Sequence, residues 1–140
     1  MAMQITNQAD YALRSMLYIA RNGQNRLTPS NVIAEEMQIS RIFLSRINSE
    51  LVGAGLIKTR RGARGGITLA KSPAEISMYD IVTTIDGKIN LIHCTEDPEA
   101  CSLADTCPYL KFWKETEDLI IAQLKNTSLQ DMLDQADSLA

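Results

Sequence analysis

Apolar residues recur at helical spacing over residues 6–21, where Tyr11, Ala12, Leu13, Met16, Leu17, Ile19 and Ala20 give wide apolar coverage. The pattern predicts a helix capped by Thr6 and stopped by Asn22-Gly23. A second helix is expected over residues 28–37, opening at Thr28 with Pro29 at its first position and Val32, Ile33 and Met37 facing inward. Gln38-Ile39 leaves room only for a short turn. Ser40 then stands where a cap would open a third helix reaching about Val52, with Ile42, Phe43, Leu44, Ile47, Leu51 and Val52 as its apolar set and Gly53 and Gly55 ending it.

The period changes after that. Residues 56–59 and 67–70 form short apolar runs around Arg60-Arg61-Gly62-Ala63-Arg64-Gly65-Gly66, and strand, glycine-rich tip, strand predicts a β-hairpin. Ser77 is placed to cap a fourth helix to about Ile85, ended by Asp86-Gly87. Residues 88–107 sustain no period, and an unstructured stretch of that length in a compact chain is usually functional or mobile. A long helix is expected over residues 108–126, about 28 Å at 1.5 Å per residue. Ser128 opens a tail helix containing Leu129, Met132 and Leu133. The expected fold is therefore mainly α with a small β-hairpin wing. It divides into a winged helix-turn-helix at 1–87, a cysteine-rich loop at 88–107, and a long helix with its tail at 108–140.

Two helices joined by a tight turn and followed by a hairpin make a winged helix-turn-helix, whose later helix fits a DNA major groove. Ser40, Arg41, Ser45 and Arg46 are polar positions on the exposed side of that helix, and Arg60, Arg61 and Arg64 crowd the wing tip. Arginines there suit phosphates, guanine edges or a narrow minor groove. Charge sharpens the picture. The 140 residues carry a net charge of −3, but residues 1–71 carry +6 and residues 72–140 carry −9. A basic half and an acidic half imply different jobs, the first on double-stranded DNA. With 45% hydrophobic and 22% charged residues the composition is that of a soluble globular protein, and no apolar run approaches the roughly 18 residues of a membrane span. Residues 1–4 lack a basic stretch leading into an apolar core, so a cytoplasmic protein without a signal peptide or membrane contact is expected. No nucleophile–base pair or phosphate-binding loop before a helix is present, so an enzyme is not expected.

Cys94, Cys101 and Cys107 fall within fourteen residues. An odd number of cysteines in a cytosolic chain favours metal or redox chemistry over a disulfide framework. Thiolates suit iron–sulfur clusters, zinc or Cu(I), and the absence of a Cys-x2-Cys knuckle weakens structural zinc. On spacing alone, a cluster, zinc or a redox switch, and inert thiols remain open. In the last long helix, Phe112 and Leu119, and Trp113 and Ile120, sit one heptad apart. So apolar a helix must pack on its own chain, on a partner, or on both, and a homodimer is expected because it matches paired half-sites on DNA.

The chain resembles the Rrf2 family of bacterial winged-helix regulators. The resemblance rests on Met3-Gln4-Ile5-Thr6 with Asp10-Tyr11-Ala12-Leu13-Arg14, on Ile33-Ala34-Glu35, on Leu44, Ile47, Leu51 and Gly55-Leu56-Ile57, on Arg61-Gly62 with Gly65-Gly66-Ile67-Thr68-Leu69-Ala70, on Ile81-Val82 with Ile85-Asp86-Gly87, and on the cysteines with Pro108 and Trp113. It implies a homodimeric transcription factor, a repressor, paired through the long helix and sensing nitric oxide, redox state, iron or iron–sulfur status. It further implies a [2Fe-2S] or [4Fe-4S] cluster on Cys94, Cys101 and Cys107. One branch of the family adds a histidine three residues after the last cysteine; that position is Leu110 here. His93 adjoins Cys94, and neighbours in an extended loop point apart, which makes it a poor co-ligand. Another branch uses an aspartate of the first helix reached across the dimer, and Asp10 matches it. The alternatives are a thiol-based redox sensor without metal and, in a different class, an iron–sulfur electron carrier, for which the basic winged half has no use.

Overall fold

The computed structural model describes residues 4–23 and 25–139; Met3 of the family-like opening lies outside them. Seven helices and one hairpin follow in order: α1 (Asn7–Arg21), α2 (Ser30–Glu36), α3 (Arg41–Gly53), β1 (Ile57–Arg60), β2 (Gly66–Leu69), α4 (Met78–Asp86), α5 (His93–Glu96), α6 (Pro108–Lys125) and α7 (Leu129–Leu139). Short 3-10 turns at Pro73–Glu75 and Pro98–Ala100 complete the chain.

The caps read at Thr6, Ser77 and Ser128 hold. Thr6 accepts from the Ala9 N–H at 3.1 Å to open α1. Its own N–H donates to Asp86 at 3.2 Å and its hydroxyl to the same carboxylate, tying the start of α1 to the end of α4. Ser77 and Asp80 form a reciprocal capping box on α4. Ser128 accepts from Asp131 N–H at 3.0 Å while Asp131 accepts from Ser128 N–H at 2.8 Å, which opens α7 the same way.

The core lies between α1, α3, α4, the hairpin and α7. Met16, Ile19, Ile33, Leu44, Ile47, Leu51, Ile67, Ile81 and Leu129 are essentially fully buried. Each such aliphatic side chain removed from water contributes about 1.5–3 kcal/mol. α7 doubles back onto this core. Leu129 N–H donates to Ile76 O at 2.7 Å and Met78 N–H to Thr127 O at 2.9 Å, which seats Leu129 and Leu133 beside α1.

Three expectations need correction. Thr28 does not open the second helix: it forms a β-bridge with Ile67, exchanging N–H to O bonds of 2.9 and 2.7 Å, and α2 begins two residues later. Thr28 is β-branched and its backbone is better used to anchor β2 than to start a helix. Ile42, Phe43 and Val52 do not belong to the apolar core set of α3; they are 80%, 42% and 41% exposed. Leu44, Ile47, Asn48 and Leu51 occupy the buried stripe, and the three outliers lie off it. Residues 88–107 are not without elements: α5 and a 3-10 turn lie there. In α5, residues 93 and 94 are helical neighbours rather than opposite sides of an extended strand, and His93 is exposed.

Candidate DNA-binding face and cysteine segment

The turn between α2 and α3 is set by Gln38 in a left-handed conformation, φ 55°, followed by Ile39, buried and donating its N–H to Ala34 O at 2.9 Å. Arg14 reaches across from α1 to donate to Met37 O at 3.0 Å, holding the turn against the first helix. α3 therefore leaves the turn with its direction fixed from two sides. Ser40 is its N-cap by backbone only, without a side-chain cap hydrogen bond. Ser40, Arg41, Ser45 and Arg46 are all exposed.

The wing stands beside α3. β1 and β2 pair antiparallel in the register Ile57 with Leu69 through Arg60 with Gly66, and Ile57, Ile67 and Leu69 anchor it in the core. Glycine is required at its tip for space. A Cβ on Gly65 would stand 2.0 Å from the Arg60 carbonyl oxygen, and one on Gly66 would stand 2.7 Å from the Thr28 backbone. Arg60, Arg61 and Arg64 project into solvent from this tip.

Between α3 and the wing runs an open groove of about 800 Å³. Arg41 and Ser45 line it from α3, and Arg60 and Arg61 from the wing. Ser40, Arg46 and Arg64 are exposed but lie outside the lining. The groove also takes in Asn31, Asn48, Ser49 and Thr59, which sequence reasoning passed over. Asn48 is 92% buried with its Oδ1 unpartnered among the described residues. Its position four residues after the buried Leu44 was the available signal.

The second candidate site is less assembled. Cys94 sits in α5, Cys101 follows the 3-10 turn, and Cys107 is the residue before α6. All three are half-buried free thiols. Glu117 of α6, a buried carboxylate, receives the Leu91 N–H at 2.8 Å and lies 3.0 Å from the Thr95 hydroxyl, so it ties this segment to the long helix. Asp10 is exposed and pairs with Arg14 of its own helix at 3.3 Å. Among the described residues no three His, Cys, Asp or Glu side chains stand close enough to hold a metal ion. The donor set that the family resemblance implies for a cluster is thus not brought together among the described residues.

A helix-turn-helix followed by an arginine-tipped wing defines a DNA-binding transcriptional regulator. The comparisons place it further: the chain belongs to the Rrf2 family, whose model, described as an iron-dependent transcriptional regulator, matches residues 5–135. Among curated relatives, the HTH-type transcriptional regulator NsrR of Halalkalibacterium halodurans is 32% identical over 138 residues, covering 98% of this chain and 94% of that one. The solved structure of CymR (YrzC), the global cysteine regulator of B. subtilis, matches with a TM-score of 0.77 at 27% identity, covering 95% of this chain and 98% of that one. T. potens IscR matches with a TM-score of 0.77 at 25% identity, over 96% and 88% of the two chains. No helix among the described residues is long and apolar enough to cross a membrane.

Proposed function

We infer that the protein is a homodimeric repressor that binds a double-stranded DNA operator and changes its affinity for it when Cys94, Cys101 and Cys107 are oxidised. The observation that carries the DNA reading is the shared groove of α3 and the wing, where Arg41, Ser45, Arg60 and Arg61 face one space. Arg46 of α3 and Arg64 of the wing tip are exposed outside that lining and add to the positive charge of the two elements. Residues 1–87 read DNA, residues 88–107 sense, and residues 108–140 hold the dimer together. Two copies related by a two-fold axis offer two recognition helices to a pseudo-palindrome.

The thiol reading rests on three free, half-buried cysteines spread over α5, the 3-10 turn and the start of α6. Two thiols give two electrons and two protons to a hydroperoxide, which leaves as water and an alcohol, and a disulfide forms between them. Joining two of these backbone pieces shifts the segment that Glu117 fastens to α6, and so the angle between the two recognition helices.

The test measures operator affinity at one fixed salt concentration before and after peroxide, and again after a dithiol reductant. A reversible change, lost when the cysteines are replaced by alanine, is expected. Unchanged affinity on oxidation overturns the thiol switch. Visible absorbance of anaerobically purified protein with stoichiometric iron and sulfide would instead establish a [2Fe-2S] or [4Fe-4S] cluster on Cys94, Cys101 and Cys107, the reading favoured by the family's iron-dependent description. Affinity that falls steeply with salt in wild type, and less steeply when Arg60, Arg61 and Arg64 are replaced by alanine, is the signature of phosphate contacts. An unaltered slope would remove the wing from the interface.

A further inference from the structure

Ile42 lies in the first turn of α3 and is 80% exposed. At about 100° per residue it points directly away from Leu51, which is fully buried on the core side. Among the described residues it belongs neither to the hydrophobic core cluster nor to the side chains packed against it. Phe43 beside it is accounted for, leaning toward the Tyr11 ring at 6.4 Å between centroids. A single exposed apolar residue is ordinary on a protein surface, so exposure alone decides nothing. The position decides. Ile42 shares the outward face of α3 with Ser45, Arg46 and Ser49, all exposed, one and two turns further along. This is the N-terminal half of the helix, the part that meets base edges when such a helix lies in a major groove.

The base edges in a major groove are polar at every pair, with one exception: the C5-methyl group of thymine. An exposed isoleucine flanked by Arg41, Ser45 and Arg46 is the apolar member of an otherwise polar reading set. We propose that Ile42 recognises a thymine methyl group, making an A·T pair at one position of each half-site a determinant of operator choice. The inference rests on α3 being the recognition helix. Contact with the methyl group removes both surfaces from water, and a guanine or cytosine there would present a polar edge to Ile42 without a hydrogen-bonding partner.

The experiment starts by enriching duplexes from a randomised library with the full-length chain. Within the enriched sequence each thymine is then replaced, one at a time, by deoxyuridine, which lacks only the methyl group. Affinities are measured at one salt concentration for wild type, I42A and I42S. In wild type, one thymine per half-site should lose about fourfold in affinity per substitution, the equivalent of one buried methyl at about 0.8 kcal/mol. I42A and I42S should bind more weakly, show no further loss at that thymine, and keep the wild-type salt slope, since no phosphate contact is removed. Equal deoxyuridine sensitivity in wild type and both variants, or none at any thymine, overturns the role of Ile42 while leaving α3 as the reader. Failure of wild type to enrich any sequence overturns the recognition-helix reading itself, and this inference with it.

Discussion

α1 and α6 are the two longest helices, and they treat their apolar residues in opposite ways. α1 buries Ala9, Ala12, Met16, Ile19 and Ala20 inside its own chain, beneath α4 and α7. α6 is longer, yet the one side chain it buries is the carboxylate of Glu117, while Tyr109, Phe112, Leu119 and Ile120 remain exposed at 68%, 54%, 72% and 37%. Large apolar side chains gathered on one exposed helix mark an interaction surface, whereas scattered ones do not. The contrast separates a helix that makes the fold from a helix that, on the proposed reading, pairs with a second copy. It also locates the cysteine segment, which Glu117 fastens to the second kind of helix.

The largest expected effect tests the first half of that contrast. Met16→Ala removes a fully buried side chain and should cost about 2–5 kcal/mol of unfolding free energy. Urea denaturation followed by far-ultraviolet circular dichroism measures it, and a loss well under 1 kcal/mol would place α1 outside the core. Leu119→Glu tests the other half. It puts a charge onto the exposed face of α6, and two such charges meet at a two-fold interface. The dimer dissociation constant should rise about 100-fold, equivalent to about 2.7 kcal/mol, with circular dichroism unchanged. Sedimentation equilibrium reads the shift, and a dimer as tight as wild type would mean that α6 is not the pairing surface.

A smaller effect separates folding from reading within the winged region. Gly65→Ala places a methyl group against the Arg60 carbonyl oxygen, which forces the wing tip to move. Operator affinity should fall by about 1–2 kcal/mol, the scale of local backbone strain. The unfolding free energy should fall by less, because Ile57, Ile67 and Leu69 keep their places in the core. Equal losses in both measurements would mean that the tip supports the fold as well as the DNA contact.

Periodicity and caps made most of this fold legible in advance. Thr6, Ser77 and Ser128 each cap a helix by accepting a backbone N–H three residues further on, a partner close in sequence. The misses have two causes, a competing partner far away in sequence and a buried stripe narrower than the apolar pattern. Thr28 looks like a helix start until Ile67 offers its backbone, thirty-nine residues on. Ile42 looks like core until Leu44, Ile47 and Leu51 have filled the buried stripe. The exposed arginines of α3 and the wing were legible because solvated charge needs no distant partner. The cysteine segment was legible only as a set of donors, since where three thiols stand relative to one another depends on α5, the 3-10 turn and α6 together. Asp10 carried the same limit: its sequence position fits a ligand reached from another chain, whereas within its own chain it meets Arg14 one turn away.

The smallest effect probes the joint between the two kinds of helix. Glu117 accepts the Leu91 N–H at 2.8 Å, and its oxygen is one of three acceptors around the Thr95 hydroxyl, with Asn90 Oδ1 at 2.5 Å and Ile92 O at 2.7 Å. One hydroxyl proton serves one of these at a time, so the Leu91 bond is the steadier link from α6 to the cysteine segment. Glu117→Gln keeps the shape and an acceptor oxygen but removes the charge. A hydrogen bond to a charged group is worth more than one to a neutral amide, and the difference is about 1 kcal/mol. The variant should therefore fold and dimerise as wild type while its Leu91 amide exchanges with solvent about fivefold faster. If α6 carries the cysteine signal through this joint, Glu117→Gln should also shrink the change in operator affinity that oxidation produces, while leaving the affinity of the reduced protein in place. Faster exchange at Leu91 with a full-sized oxidation response would show that the signal reaches the recognition helices by another route, such as the direct continuity of Cys107 with the start of α6.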